Sequence, residues 1–432
     1  MDRICLSLPT NRECSATITA MGAEAAYAAQ NFGVEVRLLI LDSSDERTRE
    51  AHARTVTALP EVPGVVVHHL DEAAQRDFLR RAVDGAALPE PDRVLDLMLP
   101  EKLSYGACTN RAFLLAAALG CRSVHRRDSD CDYQVFDGEP VYPIHHELAS
   151  LSRPAAEASG QVTEVSLDPA IAHRPVSMVG ASFIGELSVD IGGIQELDKE
   201  VYDEVVGLWA PGHWSAEQRR ELVEDSFKGA GMLPFTGDRS TLTLVDPMRV
   251  DMSNIAFDRG VYERLPLPPA TDTIGSDYFL IHAVYDAALP GVLHNRHIEN
   301  YYTGERRTHA GFLAYQTRFV KFLLSMLYLH HVYERMAGAG DTLLDESGRL
   351  DPVPFAAFLA ESVRLDRTEN ERRLDTVAAA YGRLGGKYAE FARVMTADRE
   401  RLLDEAALDT EDFVVLIGAW EALVHASRGA LR

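Results

Sequence analysis

The first 83 residues alternate short apolar segments with longer helical ones, and this alternation restricts the fold more than any other feature of the sequence. The apolar segments have the length of buried strands and span residues 4–8, 34–41 and 64–70. The helical patterns that follow them span residues 15–32, 46–59 and 72–83. Strands that alternate with helices at this spacing indicate βαβ units and a parallel sheet. The sequence therefore predicts an α/β protein.

The same order returns further along the chain and ends in a pair of carboxylates. A helical segment rich in alanine and leucine begins within residues 104–111, ends at Gly120, and is followed by a strand-like segment that leads into Asp128 and Asp130. Alternate side chains of an extended segment point to the same side, so both carboxylates can converge on one cation. Mg²⁺ and Mn²⁺ prefer oxygen ligands and often share them with phosphate. The pair predicts a divalent cation site for a diphosphate.

Polar side chains stand where three of the predicted strands end. Thr10, Asn11 and Arg12 follow the first strand, Asp42 follows the second, and the carboxylate pair follows the fourth. Ligands of open α/β sheets bind at the carboxyl ends of the strands. This placement favours a functional site, although Asp42 could instead cap the next helix and residues 10–12 could form a simple turn.

The charge of the chain restricts its partners. With 46% apolar and 25% charged residues in a chain of 432, the composition is that of a globular protein of about two domains. The formal net charge of −23 argues against nucleic acid or an anionic membrane as a partner. An anionic substrate would need a metal ion or a local group of arginines to offset this charge.

The cysteines predict a reducing compartment. All five lie in the first third of the chain and none forms a C-x-x-C pair: Cys5, Cys14, Cys108, Cys121 and Cys131. This pattern indicates reduced, mostly buried thiols. The N-terminus has no signal-peptide pattern, and the apolar segment 319–328 is too short to span a bilayer. We therefore expect a cytoplasmic protein.

The second half of the chain becomes increasingly helical. Residues 141–175 read as irregular, residues 178–194 as a pair of strands, and residues 215–227 and 278–288 as helices. From His309 the helical patterns span residues 309–336, 354–363, 369–384, 388–403 and 410–427. We predict a domain of residues 1–305 and a helical domain of residues 306–432, which either shapes the site for a second substrate or mediates homodimerisation.

Six features, in this order over residues 3–300, resemble the nucleotide-sugar glycosyltransferases of the GT-A fold, the fold of the large family-2 group. They are the first strand with residues 9–12, Asp42, residues 106–111 leading to Asp128-Ser129-Asp130, residues 253–262, Ser276-Asp277 opening a helix, and His294. The resemblance implies a Rossmann-like, mostly parallel sheet with flanking helices. It also implies a reaction that moves a sugar from a nucleoside diphosphate to an acceptor.

The resemblance assigns roles to individual residues. Asp130 and His294 are implied ligands of Mn²⁺ or Mg²⁺, as in the glucosyl-phosphoglycerate synthases. Asp277 is the implied general base for the acceptor. The implied contacts to the nucleotide come from Pro9, Thr10, Asn11, Arg12, Asp42, Arg111 and Asp128.

Each of these roles has an alternative. Asp128 could bind the metal directly, and Arg111 could form a local ion pair instead of reaching the diphosphate. Asp277 could simply stabilise the start of a helix, and His294 could be a surface histidine. The histidine doublets at residues 68–69, 145–146 and 330–331 lack metal-ligand spacing and are predicted to be structural.

The chain departs from the pattern of the GT-A family in two places. Residues 125–127 are His-Arg-Arg where the family has an apolar strand, which suggests that the arginines face phosphate. Ser276 replaces the first carboxylate of the acidic acceptor motif. A further basic segment, with Arg296, Arg306 and Arg307, could form either a lid over the diphosphate or a solvated loop.

Sequence reasoning thus favours a metal-dependent glycosyltransferase that acts on a hydroxyl or amine of a small-molecule or natural-product acceptor. A nucleotidyltransferase is the first alternative, but it would normally have a glycine-rich loop where residues 9–12 lack glycine. A non-catalytic protein that binds nucleotide sugars is the second alternative. The four candidate groups Asp128, Asp130, Asp277 and His294 argue against it.

Overall fold

The computed structural model describes residues 1–187, 189 and 191–431. Its strands are β1 (Arg3–Thr10), β2 (Glu35–Asp42), β3 (Val65–Asp71), β4 (Ser123–Arg126), β5 (Cys131–Tyr133), β6 (Val135–Phe136), β7 (Glu139–Pro140), β8 (Glu164–Val165), β9 (Met178–Gly180), β10 (Phe183–Gly185), β11 (Ser240–Thr243), β12 (Ile255–Asp258), β13 (Gly291–His294) and β14 (Ile298–Asn300). The three predicted N-terminal strands are all present, within one or two residues of their expected bounds.

The helices account for most of the remaining chain. They are α1 (Ser15–Phe32), α2 (Glu46–Ala58), α3 (Glu72–Ala86), α4 (Pro91–Met98), α5 (Tyr105–Ala118), α6 (Ile144–Ser150), α7 (Ala155–Ala158), α8 (Gly192–Leu197), α9 (Lys199–Val206), α10 (Ala216–Asp225), α11 (Arg259–Tyr262), α12 (Phe279–Asp286), α13 (His309–Ala337), α14 (Pro352–Ser362), α15 (Thr368–Leu384), α16 (Gly386–Ala397) and α17 (Arg399–Ala430). Short 3₁₀ turns connect several of them.

A sheet of nine strands forms the centre of the fold, in the order β3-β2-β1-β4-β12-β9-β13-β11-β8. β1, β2, β3 and β4 are parallel, and β12 is antiparallel to both of its neighbours. Thr10 at the end of β1 lies beside Asp42 at the end of β2, as the βαβ pattern predicts. The predicted α/β class, with a large and mostly parallel sheet followed by a helical C-terminal region, is confirmed.

β4 is a buried strand although its sequence is polar. All four of its residues are buried, and β1 and β12 flank it. Each charged side chain in this segment has a buried partner of opposite charge or a hydrogen-bond partner, such as Glu147 for His125. Paired polar groups can occupy an interior strand because their desolvation is offset.

The C-terminal helices pack directly onto the sheet. One apolar cluster contains side chains of α3 and α5 together with α13 and α17. The helices therefore share a core with the α/β region, while the division at residues 305 and 306 stays a prediction. Two helix bounds were wrong. The predicted helix 388–403 is interrupted at Asp398, and α17 continues through residues 404–409 because these are mostly good helix formers.

Two other predictions need correction. Residues 141–175 are not entirely irregular, since they contain α6 and α7. The expected pair of strands at 178–194 does not pair with itself, because β9 joins the nine-stranded sheet and β10 joins a smaller one with β14 and β5. Positions 188 and 190 of that prediction lie outside the described residues.

The prediction for the thiols is confirmed. Cys5, Cys14, Cys121 and Cys131 are free and buried, and Cys108 is free and partly buried. Among the helices described, none has the length and apolar character needed to cross a bilayer.

Candidate functional site

Two large cavities open at the carboxyl ends of the parallel strands. The polar cavity has an empty volume of about 1020 Å³ and the aromatic cavity about 1270 Å³, each with its open mouth included. Both are lined by the same four residues, which are Tyr105, Asp128, Asp130 and Arg306. The predicted carboxylate pair thus stands where the two cavities meet.

The polar cavity collects most of the residues predicted to bind nucleotide. Pro9, Thr10, Asn11 and Arg12 line it from the end of β1, and Arg111 lines it from α5. Arg111 itself is buried, and its guanidinium donates to Gln75 Oε1 and to the Met98 carbonyl, both at 2.8 Å. Its local bonds are therefore uncharged ones to α3 and α4, and not the ion pair that the sequence allowed.

The polar cavity is less acidic than the rest of the molecule. Among the residues that the structure describes, five cationic side chains line it, Arg12, Lys102, Arg111, Arg126 and Arg306, against four carboxylates, Glu72, Glu101, Asp128 and Asp130. In a chain of net charge −23 this is a local excess of positive charge. A diphosphate could enter here without the repulsion that it would meet elsewhere on the surface.

Two arginines converge on Asp130. Arg12 Nη1 lies 3.0 Å and Arg306 Nη2 lies 2.9 Å from the same oxygen, Oδ2. Arg306 also packs over the rings of Tyr302 and Tyr315, with its charge 5.4 and 4.7 Å from their centroids. The Nε atoms of both arginines and Nη1 of Arg306 are buried without a hydrogen-bond partner among the described residues. Such unpaired donors fit an anionic ligand.

Arg126 links the predicted base to the carboxylate pair. Its Nη1 lies 2.8 Å from Asp277 Oδ2, and its Nη2 lies 3.1 Å from Asp128 Oδ1. Asp277 lies in the 3₁₀ turn that precedes α12 and lines the aromatic cavity. Arg126 therefore holds two carboxylates from separate segments in one place.

Asp251 is a fourth carboxylate beside Asp128, Asp130 and Asp277, and it was not predicted from the sequence. Asp251 lines the aromatic cavity and accepts a hydrogen bond from Tyr278 Oη at 2.8 Å. Burial, together with the charges of Asp130, Asp251 and Asp277, raises the pKa of Asp128 to about 6 against the opposing effect of Arg126. The sequence signal for Asp251 is its position just before segment 253–262, one of the six features that resemble the GT-A family.

Arg127 points away from both cavities. Its side chain is 1% exposed and pairs with Glu24 on α1 and Glu147 on α6, with Nη2–oxygen distances of 2.8 and 3.0 Å. The suggestion that this arginine faces phosphate was wrong, because two fully buried carboxylates hold it in the interior.

Asp42 lies at the predicted strand end, but its side chain is buried and bonded on all sides. Oδ2 accepts from His52 Nδ1 and His69 Nε2, both at 2.8 Å, and Oδ1 accepts from Ser44. Burial would raise the pKa of Asp42, yet these hydrogen bonds outweigh it and hold the pKa well below its usual range. Asp45, not Asp42, caps α2.

Among the described residues, one group of at least three possible metal ligands is found, and it consists of Asp42, His52 and His69. Their ligand atoms lie within 4.8 Å of one another. The hydrogen bonds explain the group without a metal. The Cys14 N–H donates to His52 Nε2 at 3.0 Å, so the proton of a neutral His52 resides on Nδ1 and faces Asp42. A metal on Nδ1 would leave two donors, Nε2–H and the Cys14 N–H, facing each other.

His294, at the end of β13, lines neither cavity. Its ring is 3% exposed and stacks on His146 with centroids 5.2 Å apart. Burial and the neighbouring His146 hold its pKa well below the usual range. Its Nδ1 accepts from the Arg296 N–H, while Nε2 is buried without a partner among the described residues. His294 is therefore not a surface histidine.

The fit of a divalent cation rests on the carboxylates at the junction of the cavities. Asp128 and Asp130 supply the hard oxygen donors that Mg²⁺ and Mn²⁺ prefer. A cation there would take over charge that Arg12 and Arg306 now neutralise, and these guanidinium groups would then be available to a diphosphate. A divalent cation at this junction would therefore draw on Asp128 and Asp130, whereas His294 lines neither cavity.

Fold and site together define an α/β protein with a composite pocket at the carboxyl edge of its sheet, polar and basic on one side and aromatic on the other. The sequence matches, over residues 2–431, the family of unknown function DUF6271, and the chain belongs to that family. No curated protein matches the sequence.

Three solved structures show a weak similarity to this chain. A mannosyltransferase from Pyrobaculum calidifontis, in complex with GDP-Man and Mn²⁺, is 13% identical with a TM-score of 0.33, over 94% of this chain and 86% of that one. A core-mannan synthase A from Aspergillus fumigatus, in the Mn/GDP form, is 7% identical with a TM-score of 0.24, over 60% and 59%. Mouse xyloside xylosyltransferase 1, in the apo form, is 15% identical with a TM-score of 0.19, over 46% and 58%.

Proposed function

We propose that this protein is a metal-dependent glycosyltransferase, which moves a sugar from a nucleoside diphosphate sugar to a hydroxyl or amine of a small-molecule acceptor. One observation carries the proposal: a basic cavity and an aromatic cavity meet at Asp128 and Asp130. A transferase of this kind needs a site for a charged diphosphate beside a separate site for the second substrate, with the reacting atoms between them.

The polar cavity suits the donor. Residues 9–12 would contact the nucleotide, and Arg12 and Arg306 would donate to the diphosphate through N–H groups that lack a partner. Guanidinium groups stabilise the charge that develops on a departing diphosphate. Asp128 and Asp130 would hold Mn²⁺ or Mg²⁺, and the bound ion would supply additional neutralisation of that charge.

The carboxylates at the junction suit proton transfer. In the reaction, the acceptor oxygen or nitrogen bonds to the anomeric carbon, the bond from that carbon to the diphosphate oxygen breaks, and its electron pair stays on the diphosphate. The acceptor proton passes to a carboxylate, for which Asp277 is our candidate. Arg126, 2.8 Å from Asp277, would fix the orientation of that carboxylate.

Thermal shift with nucleoside diphosphates and their sugars, with Mn²⁺, Mg²⁺ or EDTA, tests the proposal. A ligand at a hundredfold its Kd adds about 2.7 kcal/mol of stability. We expect a shift that needs both nucleotide and metal, that is lost in Asp130→Asn, and that persists in Asp132→Asn, an exposed acid two positions away.

The outcome that contradicts the proposal is equally clear. If no nucleotide stabilises the protein in a metal-dependent manner, or if Asp130→Asn retains the full shift, the donor site is not at this junction. Release of nucleoside diphosphate from the stabilising sugar donor then separates an enzyme from a protein that only binds nucleotide sugars.

A further inference from the structure

The aromatic cavity is built from rings that come from distant parts of the chain. Eight aromatic side chains line it: Tyr105, Phe183, Trp209, Phe227, Tyr278, Tyr315, Phe322 and Tyr333. Three methionines join them, Met248, Met252 and Met326. Apolar and aromatic walls with a few polar groups are characteristic of sites for small organic ligands.

The rings at one end of the cavity hold one another in place. Trp209 stacks on Phe227 with centroids 5.2 Å apart and meets Phe322 edge-on at the same distance. Phe227 also meets Phe319 and Phe322, at 6.0 and 6.2 Å. A surface that is already ordered loses little side-chain entropy when a ligand binds to it.

The backbone supports this arrangement at a cost. Phe227 adopts φ +63°, in the left-handed region that bulky residues rarely occupy. Gly275 has φ +71°, and a Cβ there would lie 2.7 Å from the Phe322 ring. The glycine adopts this conformation without strain. Strained backbone such as that of Phe227 persists where the surroundings enforce it, and it is frequent at binding sites.

The charges around the aromatic cavity select against one class of ligand. Among the described residues, five carboxylates line it, Asp128, Asp130, Asp225, Asp251 and Asp277, and Arg306 is the one lining cation. Arg12 and Arg126 pair with three of these carboxylates from outside the aromatic cavity, which still leaves two more carboxylates than arginines. An anionic group inside this cavity would meet like charges in a partly desolvated space. A neutral or cationic ligand would not, and aromatic rings favour cations further.

His282 adds an uncharged polar group to the cavity wall. His282 lines it and lies flat against Tyr333, with ring centroids 3.8 Å apart. Burial lowers the pKa of His282 to about 3, so its imidazole is neutral at physiological pH. A neutral imidazole can orient a hydroxyl or amine without adding charge.

We infer that the aromatic cavity receives the acceptor, and that this acceptor is a lipophilic, ring-bearing alcohol or amine without an anionic group. The inference rests on the proposed function, which assigns the donor to the polar cavity. The acceptor places its ring system against Trp209, Phe227 and Phe322 and its nucleophile toward Asp128 and Asp277. Bond making and breaking are those of the proposed transfer reaction.

Two fluorescent probes that share one ring system test this inference on the full chain. The neutral amine 1-aminoanthracene is expected to bind at least tenfold more tightly than anthracene-2-sulfonate. Trp209→Ala is expected to weaken the binding of 1-aminoanthracene at least tenfold. The matched control Trp214→Ala, five positions away and outside the cavity lining, is expected to leave binding unchanged.

A second variant guards against a Trp209→Ala protein that fails to fold. Ile274→Trp adds a ring at a half-buried position of the cavity wall and so reduces the space for a ligand. This variant should also weaken the binding of the neutral probe at least tenfold. Equal binding of both probes, or binding that neither Trp209→Ala nor Ile274→Trp reduces, overturns the inference.

Nucleotide binding, measured on the same proteins, separates this inference from the proposed function. If a nucleoside diphosphate with Mn²⁺ stabilises the protein but the neutral probe does not bind selectively, only the acceptor class is wrong. If the neutral probe binds selectively but no nucleotide does, the proposed function fails and the acceptor role fails with it.

Discussion

Replacement of Arg127 by methionine should destabilise the protein strongly without changing the ligand site directly. The guanidinium makes five hydrogen bonds, four of them to Glu24 and Glu147, and both of these carboxylates are fully buried. Methionine preserves much of the side-chain volume but leaves two buried negative charges without the arginine. Loss of one partner from a buried ion pair typically costs about 3 to 5 kcal/mol.

The expected change in melting temperature follows from the size of the chain. At about 2.1 cal/mol/K per residue over 432 residues, the unfolding entropy is about 0.9 kcal/mol/K, so the melting temperature should fall by about 3 to 6 °C. Arg127→Lys keeps the charge but loses the fork of donors, so its melting temperature should lie between those of the wild type and Arg127→Met. The double variant Arg127→Met with Glu147→Gln should recover part of the loss.

The pH dependence gives a sharper check. Burial raises the pKa of Glu147, but the Arg127 charge and the His125 bond outweigh it and hold the pKa below its usual value. The stabilisation from Glu147 is therefore present above the unfolded pKa of about 4.3 and is lost as the pH falls through the lower folded value.

In Arg127→Met, burial acts on Glu147 without the opposing charge of the arginine, so the loss of stability is full near neutral pH and declines as Glu147 takes up a proton in acid. Urea unfolding at pH 7.5 and at pH 5 should thus show a smaller difference between variant and wild type at the lower pH. A difference under about 0.5 kcal/mol at pH 7.5 would refute the reasoning, since exposed substitutions lie in that range. A nucleotide shift lost in folded Arg127→Met would restore a phosphate role for this arginine.

Three further substitutions test the packing of the C-terminal helices and of α5. Lys321 is 1% exposed and pairs with Asp409 at 3.1 Å, so Lys321→Met should cost about 3 to 5 kcal/mol in urea unfolding, and a loss under 1 kcal/mol would count against the pair. Gly106→Ala should lower the free energy of unfolding by about 1 to 3 kcal/mol, because its Cβ would lie 1.9 Å from the Pro268 carbonyl oxygen. Gly418→Ala on α17 has open space around its Cβ and should raise the free energy of unfolding by about 0.5 to 1 kcal/mol. Equal effects of the two alanines would contradict the close approach at α5.

The sheet and the edge that carries the candidate site could be predicted from the sequence because both depend on local periodicity. The βαβ spacing determines which strands are parallel, and parallel strands necessarily end at one edge. That is why residues 9–12, Asp128 and Asp130 were expected together, and they do line one cavity. Asp42 reached the same edge, but its side-chain partners could not be foreseen.

The contacts that position the candidate site could not be predicted, because they join residues far apart in the chain. Arg126 and Arg127 are adjacent in sequence, yet one pairs with Asp277 and the other with Glu24 and Glu147. Local sequence gives the same expectation for both arginines. Neighbouring side chains of an extended segment point to opposite faces, so Arg126 lies at the candidate site while Arg127 lies in the core.

The aromatic cavity is the other feature that no local pattern indicates. α13 supplies three of its rings, Tyr315, Phe322 and Tyr333, and the other five come one each from separate parts of the chain, among them α5, β10 and the segment around Trp209. Each ring alone is an ordinary apolar residue of a helix or turn. Only the approach of these segments in three dimensions makes them one surface.

The apolar cluster that the sheet shares with the C-terminal helices also affects how this family can evolve. Phe78 and Leu79 of α3 lie in the same cluster as Leu416 and Leu423 of α17. A change of volume on one of these helices is tolerated only when the other compensates. We therefore expect correlated substitutions between α3 and α17 among family members, and a helical region inherited together with its sheet and not exchanged between proteins as an independent module.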